Sequence, residues 1–144
     1  MQLLRQHGLL LLPLVLVLAA CSAGNSAGSG NDEPRTIEVR TTDELRFEPA
    51  DIFVRAGETV RFEVTNDGQM VHEFLVGDEA AQDEFAAEMA EGGGHHETDA
   101  GVTVEPGETE TFEYTFDTDG ELLAGCHEPG HYEGGMVASI SVGE

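Results

Sequence analysis

From Thr36 to the C-terminus, apolar side chains recur at every second position, a period that strands satisfy and helices do not. Val60, Phe62 and Val64 alternate with Arg61, Glu63 and Thr65. Phe112, Tyr114 and Phe116 alternate with Glu113 and Thr115, and Ala138, Ile140 and Val142 with Ser139 and Ser141. Successive side chains of a strand point to opposite faces, so each run offers one face to a core and one to water, as half-buried antiparallel strands do. Between the runs lie Ala56-Gly57-Glu58, Asn66-Asp67-Gly68, Pro106-Gly107-Glu108 and Asp119-Gly120, all rich in turn-forming residues. Short strands with regularly spaced turns predict an all-β fold, a Greek-key β-sandwich.

One segment departs from this period. Asp78 to Glu91, DEAAQDEFAAEMAE, is rich in Ala and Glu, lacks β-branched residues, and carries Phe85 and Met89 four apart. It predicts one short helix inserted between strands, with Phe85 and Met89 anchoring it to the sandwich. Gly92-Gly93-Gly94 ends it, and His95-His96-Glu97-Thr98-Asp99 follows as an exposed loop. Two adjacent imidazoles among carboxylates suit either a solvated loop or a weak second metal site.

The first 35 residues cannot join the sandwich. An apolar run from Leu9 to Ala20 follows a short start whose basic side chain is Arg5, which reads as an export signal over residues 1–20. Leu18-Ala19-Ala20-Cys21 resembles a bacterial lipobox, in which cleavage before the cysteine leaves a lipid on Cys21; the alternative is a plain signal peptide cut nearby. Residues 21–35, rich in Ser, Gly and Asn, form a flexible tether, and residues 36–144 form a single domain. The chain has two cysteines, Cys21 and Cys126, and each has a task other than a disulfide.

The chemistry concentrates in CHEPGHYEGGM, residues 126 to 136. Cys126, His131 and Met136 stand five residues apart, and a second imidazole, His72, sits in the apolar run MVHEFLV. Two imidazoles, a thiolate and a weak thioether are the ligand set of a blue-copper site, in which two nitrogens and a sulfur form a trigonal plane that suits both Cu(I) and Cu(II). Structural zinc asks for four strong tetrahedral ligands and makes little use of methionine. Taken singly, His72, Met136 and Cys126 each also read as ordinary core residues. Pro129 and Gly130 shape the turn that returns His131 to the site. His127, next to Cys126, is expected to point away from it to the surface, and Met70 to pack or else to line the pocket.

The same residues carry a family resemblance. A Cys-x4-His-x4-Met loop near the end of the chain, a Pro-Gly before the second histidine and an upstream histidine resemble the cupredoxins: the plastocyanin, azurin and rusticyanin group. The resemblance covers about residues 36–144. It implies a cupredoxin-like sandwich holding one copper on His72, Cys126, His131 and Met136. Many members have Asn or Ser directly after the upstream histidine, tying the two ligand loops together; here that position is Glu73. HEFLVG after the upstream ligand and the helix followed by a His-bearing loop resemble periplasmic cupredoxins associated with copper resistance.

Six basic residues stand against 29 acidic ones, for a net charge of −23, and lysine is absent. That excludes nucleic acid as a partner and leaves membrane attachment to acyl chains. The acidic surface would steer a basic-faced cytochrome or oxidase, or would simply keep the protein soluble. The ring edge of His131, facing Asn66 to Met70 across a gap, is the expected entry point for electrons. Two functions remain in view: a monomeric, membrane-tethered single-electron carrier outside the cytoplasmic membrane or in the periplasm, and an envelope protein for copper sequestration, delivery or tolerance. An enzyme is the weakest class, since further copper centres would need more histidines than the sequence offers.

Overall fold

The computed structural model describes residues 33–92 and 99–144. The expected signal peptide, Cys21, all but the last three tether residues, and His95 and His96 lie outside the described residues. In chain order the elements are β1 (Arg35–Thr42), β2 (Arg46–Glu48), β3 (Asp51–Arg55), β4 (Glu58–Asn66), β5 (His72–Gly77), α1 (Glu79–Ala90), β6 (Gly101–Val104), β7 (Thr109–Phe116), β8 (Gly120–Gly125) and β9 (Val137–Gly143). The strands build two sheets, one ordered β2-β1-β4-β7 and the other β3-β9-β8-β5-β6. The alternating residues Val60, Phe62 and Val64 of β4, and Ala138 and Ile140 of β9, are buried with 0% exposure, so the sequence period maps onto the faces that meet.

Strand direction departs from expectation in two places. β1 lies parallel to β4, with Ile37 opposite Phe62, and β3 lies parallel to β9, with Ile52 opposite Ile140. Alternation within a strand is the same whichever way its neighbour runs, so the sequence period carries no information on this point.

The core is aromatic at its centre. Phe74 meets Phe47 edge-on, with ring centroids 5.1 Å apart, and Phe62 at 5.3 Å. Phe62 also stacks on Phe112 at 5.2 Å. Such offset and edge contacts add to the burial of large apolar surface. Phe74 lies two residues beyond His72 on β5, so the ring that fills the core also fixes the start of that strand.

Helix α1 begins where expected. The Asp78 side chain caps it by accepting from Ala81 N at 2.9 Å, satisfying a donor that has no partner within the helix. Phe85 and Met89 are half-buried on the face toward the sandwich, but the residue that reaches deepest is Gln82, which is 2% exposed. All six residues of β5 are buried, because the core covers one face and α1 the other. At Gly125 a side chain could not be accommodated: a Cβ there would lie 2.7 Å from Cε2 of Tyr132. This glycine lets the loop after β8 close over the strand.

Candidate metal centre

The fold brings the ends of three neighbouring strands together. His72 opens β5, Cys126 directly follows β8, and Met136 directly precedes β9. The loop between Cys126 and Met136 braces itself. Cys126 N donates to Met136 O at 3.2 Å, Met136 N to His131 O at 3.0 Å, and His131 N to Glu128 O at 2.9 Å. Gly130 takes a φ of 84°, a left-handed conformation that glycine adopts without a Cβ penalty and that turns the chain back toward β9. His131 is thus held by backbone bonds at both ends of its loop.

His72, Cys126 and His131 offer three ligand atoms that all lie within 4.8 Å of one another. Cys126 Sγ and His131 Nδ1 are 3.3 Å apart, and the two imidazole rings have centroids 5.1 Å apart. Met136 is fully buried at the far end of the same loop and belongs to the same core cluster as Cys126.

The donors fit a metal ion. Both ring nitrogens of His72 lack a hydrogen-bond partner although the side chain is 0% exposed. Buried polar atoms left unpartnered cost free energy, so such an atom in a native fold calls for an explanation. Nε2 has Asp43 Oδ1 at 3.6 Å, too long for a hydrogen bond but within range of charge attraction. That leaves Nδ1 as the nitrogen available to a metal. A soft thiolate beside two imidazoles matches copper.

Burial sets the protonation of these groups. Desolvation is the largest cause holding His72 below its ordinary pKa, with His131 adding to it and Asp43 partly opposing it. The same effect pushes the Cys126 thiol up to about 12, against backbone N–H groups of Glu73 and Glu128 that favour the thiolate. The metal-free site therefore holds a neutral imidazole at His72 and a protonated thiol at neutral pH.

Glu73 fills the position where many cupredoxins carry Asn or Ser, and it ties the two ligand segments by another route. Its backbone N–H donates to Cys126 Sγ at 3.3 Å, and its side-chain Oε2 accepts from His127 N at 3.2 Å. β5 and β8 pair only over Leu75–Gly77 and Leu123–Gly125, so these bonds join the strands beyond the end of their ladder.

Two expectations about neighbouring residues need correcting. His127 does point away from Cys126, but it is 6% exposed rather than at the surface. Its Nε2 lies 2.8 Å from Gln82 Oε1, and its ring stacks on Tyr132 with centroids 4.7 Å apart and planes at 15°. Alternation gives the direction of a side chain but not what lies there, and here helix α1 does. Met70 does not pack; it is 40% exposed. Its backbone is what is used, as Met70 O accepts from Asn66 Nδ2 at 2.7 Å and Met70 N donates to Asp43 Oδ1 at 3.1 Å. His131 is half-buried, and its ring lies beside that of His72.

Sequence reasoning passed over Asp43 and Gln82. Asp43 lies far from His72 along the chain, and no local pattern marks it. Gln82 had a legible signal, a polar residue three before Phe85 and seven before Met89 on one helix face.

A two-sheet sandwich with a buried His-Cys-His cluster at the ends of its strands defines a cupredoxin, and the sequence profile of the copper binding proteins of the plastocyanin/azurin family matches residues 35–143. The chain belongs to that family, whose metal is copper, and the cluster suits a single copper ion. Among its relatives is the copper-resistant cuproprotein CopI of Rubrivivax gelatinosus, 38% identical over 80% of this chain and 70% of the relative. The protein of the same description from Pseudomonas aeruginosa is 33% identical over 89% of this chain and 91% of the relative. Among solved structures, reduced auracyanin from Roseiflexus castenholzii superposes with a TM-score of 0.68 at 24% identity, covering 76% of this chain and 97% of that one. Auracyanin A from Chloroflexus aurantiacus, described as a blue copper protein, gives 0.64 at 25% identity over 76% of this chain and 99% of that one.

Proposed function

We propose that this protein is a blue-copper electron carrier of the cell envelope. His72 Nδ1, Cys126 Sγ and His131 Nδ1 hold one copper, with the Met136 thioether as a weak fourth donor and a lipid on Cys21 as the tether. The observation that carries the reading is the bracing of the donors: His72, Cys126 and Met136 are 0% exposed and fixed at strand ends, which suits ligands that must not rearrange. When bound, copper supplies one-electron chemistry between Cu(I) and Cu(II). The chain's residues do the rest. Glu73 N–H directs a hydrogen bond at the sulfur, the self-bonded loop limits movement of His131, and the half-buried ring of His131 is the route for an electron to a partner. A net charge of −23 favours a basic-faced cytochrome or oxidase.

A second reading is copper tolerance, through sequestration or delivery in the envelope. It is supported by the relatives named copper-resistant cuproproteins. Stopped-flow mixing of the copper-loaded protein with a cationic cytochrome, run beside transfer of copper to a chelator, separates the two. A carrier exchanges electrons in a bimolecular reaction that slows as salt rises, and keeps its metal. Slow exchange together with prompt surrender of copper would favour handling instead. The tether is tested by mass spectrometry of the membrane-fraction protein, which should carry acyl mass that Cys21→Ser removes.

A further inference from the structure

Helix α1 reaches the back of the metal loop with Phe85, whose ring centroid lies 5.9 Å from that of His127, and with Gln82, which makes the hydrogen bonds. Gln82 Nε2 donates to Leu75 O on β5 at 3.0 Å and to Leu123 O on β8 at 3.2 Å. Two carbonyls at that nitrogen fix which end of the amide is which, so Oε1 faces His127 and accepts from its Nε2 at 2.8 Å. One amide thus bonds the strand that begins at His72, the strand that ends before Cys126, and the residue bonded covalently to Cys126. The backbone N–H of that same His127 donates to Glu73 Oε2, and Glu73 N donates to the Cys126 sulfur. The Glu73 bonds lie beyond the Leu75–Gly125 end of the β5–β8 ladder, beside the thiol, while Gln82 bridges the two strands across the ladder itself, at Leu75 and Leu123.

We propose that Gln82 is a positioning residue for the copper thiolate: through His127 and the two strand carbonyls, it sets the orientation in which Cys126 presents its sulfur. The inference rests on the copper reading of Cys126. The inserted helix then has a purpose beyond covering β5, since it delivers a buried amide to the back of the metal loop. A hydrocarbon at that place would fill the volume but leave Leu75 O, Leu123 O and His127 Nε2 without their partner. Partners that orient metal ligands typically change affinity by about 10–100-fold when lost.

The test compares Gln82→Leu and Gln82→Glu with Ala87→Gly, which loosens the exposed side of the same helix without touching the network. Four quantities are read: the thermal midpoint of the metal-free protein, the tautomer of His127 in the metal-free protein by nitrogen NMR, the visible and EPR spectra after copper loading, and the rate of copper release to a chelator. In the parent, His127 carries its proton on Nε2. Gln82→Leu should lose that fixed tautomer, alter the thiolate-to-copper band pattern and copper hyperfine splitting, and release copper to a chelator about tenfold faster. Gln82→Glu keeps an acceptor for His127 but loses the donor to both carbonyls, and should give an intermediate spectrum. Ala87→Gly should lower the thermal midpoint and leave the spectra unchanged. Parent-like spectra in both Gln82 variants, or equal spectral change in Ala87→Gly, would overturn the proposal. A colourless copper-loaded parent would instead remove the copper reading on which it rests, and the His127 tautomer would still report whether Gln82 orients that ring. If Gln82→Leu does not fold, Gln82→Glu and the tautomer measurement decide.

Discussion

Asp43 Oδ1 stands 3.6 Å from Nε2 of His72, and the same carboxylate accepts the backbone N–H groups of Gln69 and Met70. A residue in the turn after β1 therefore holds the loop that leads into β5 and stands beside Nε2 of that strand's first side chain. Those backbone N–H groups are the main reason the Asp43 carboxyl sits below its ordinary pKa. The arrangement resembles the carboxylate–histidine pairs that orient metal ligands from behind.

Removing that carboxylate should move His72. Asp43 raises the pKa of His72 against the larger lowering effect of burial, so Asp43→Asn should depress it further in the metal-free protein. An NMR titration of the His72 ring checks this. A value unchanged or raised would show that the carboxylate does not act on the ring.

Copper uptake should release a proton from Cys126. Burial pushes its thiol up to about 12, so at neutral pH the metal-free site carries S–H, and a thiolate ligand must give that proton up. His72, held below 6.5, has none to give at a pH of about 7.5. Calorimetric titrations in buffers of different ionisation enthalpy should report about one proton released per copper. The same shift affects stability in alkali. A thiol whose folded pKa lies above its ordinary value of 9.0 contributes fully below that pH and loses the contribution as pH climbs toward 12.

Mild acid should weaken the metal-free fold. His72 and His127 are both held below 6.5 by burial, so the unfolded chain takes up protons more readily than the folded one. Their contribution is present above about 6.5 and is lost as pH falls through the lowered folded values. Asp43 and Glu58, both shifted down, add a second loss at lower pH, as their carboxylates protonate. Thermal melts from about pH 8 to about pH 5 should show a falling midpoint, and His127→Gln should flatten part of the fall. A midpoint constant across that range would contradict the buried, neutral state of the two rings.

Phe74 is the aromatic core residue nearest a candidate ligand in sequence, two residues beyond His72. It is 0% exposed and in ring contact with Phe47, Phe62 and Phe112. Phe74→Ala should cost about 3–5 kcal/mol, measurable by denaturant titration of the metal-free protein. A loss under about 1 kcal/mol would mean that the core collapses into the space more freely than its aromatic contacts suggest.

The sequence revealed those features governed by local rules. Alternation located β4, β7 and β9, composition located α1 to within a residue at each end, and donor chemistry singled out His72, Cys126 and His131, which the fold brings to one point. What it hid depends on partners distant in the chain. β5 shows no clean alternation because both of its faces are covered. The burial of His127 requires knowing that α1 lies over the metal loop, and the role of Asp43 requires knowing that the turn after β1 reaches His72. Parallel pairing of β1 with β4 is invisible to a period that is the same in both directions.

The most direct test is an optical titration of the metal-free protein with cupric salt, with Cys126→Ser beside it. Copper on His72, Cys126 and His131 predicts an intense visible thiolate-to-copper band that saturates at one equivalent, bleaches reversibly with reductant and is absent from the variant. A parent that stays colourless, or a band that survives in Cys126→Ser, would contradict it.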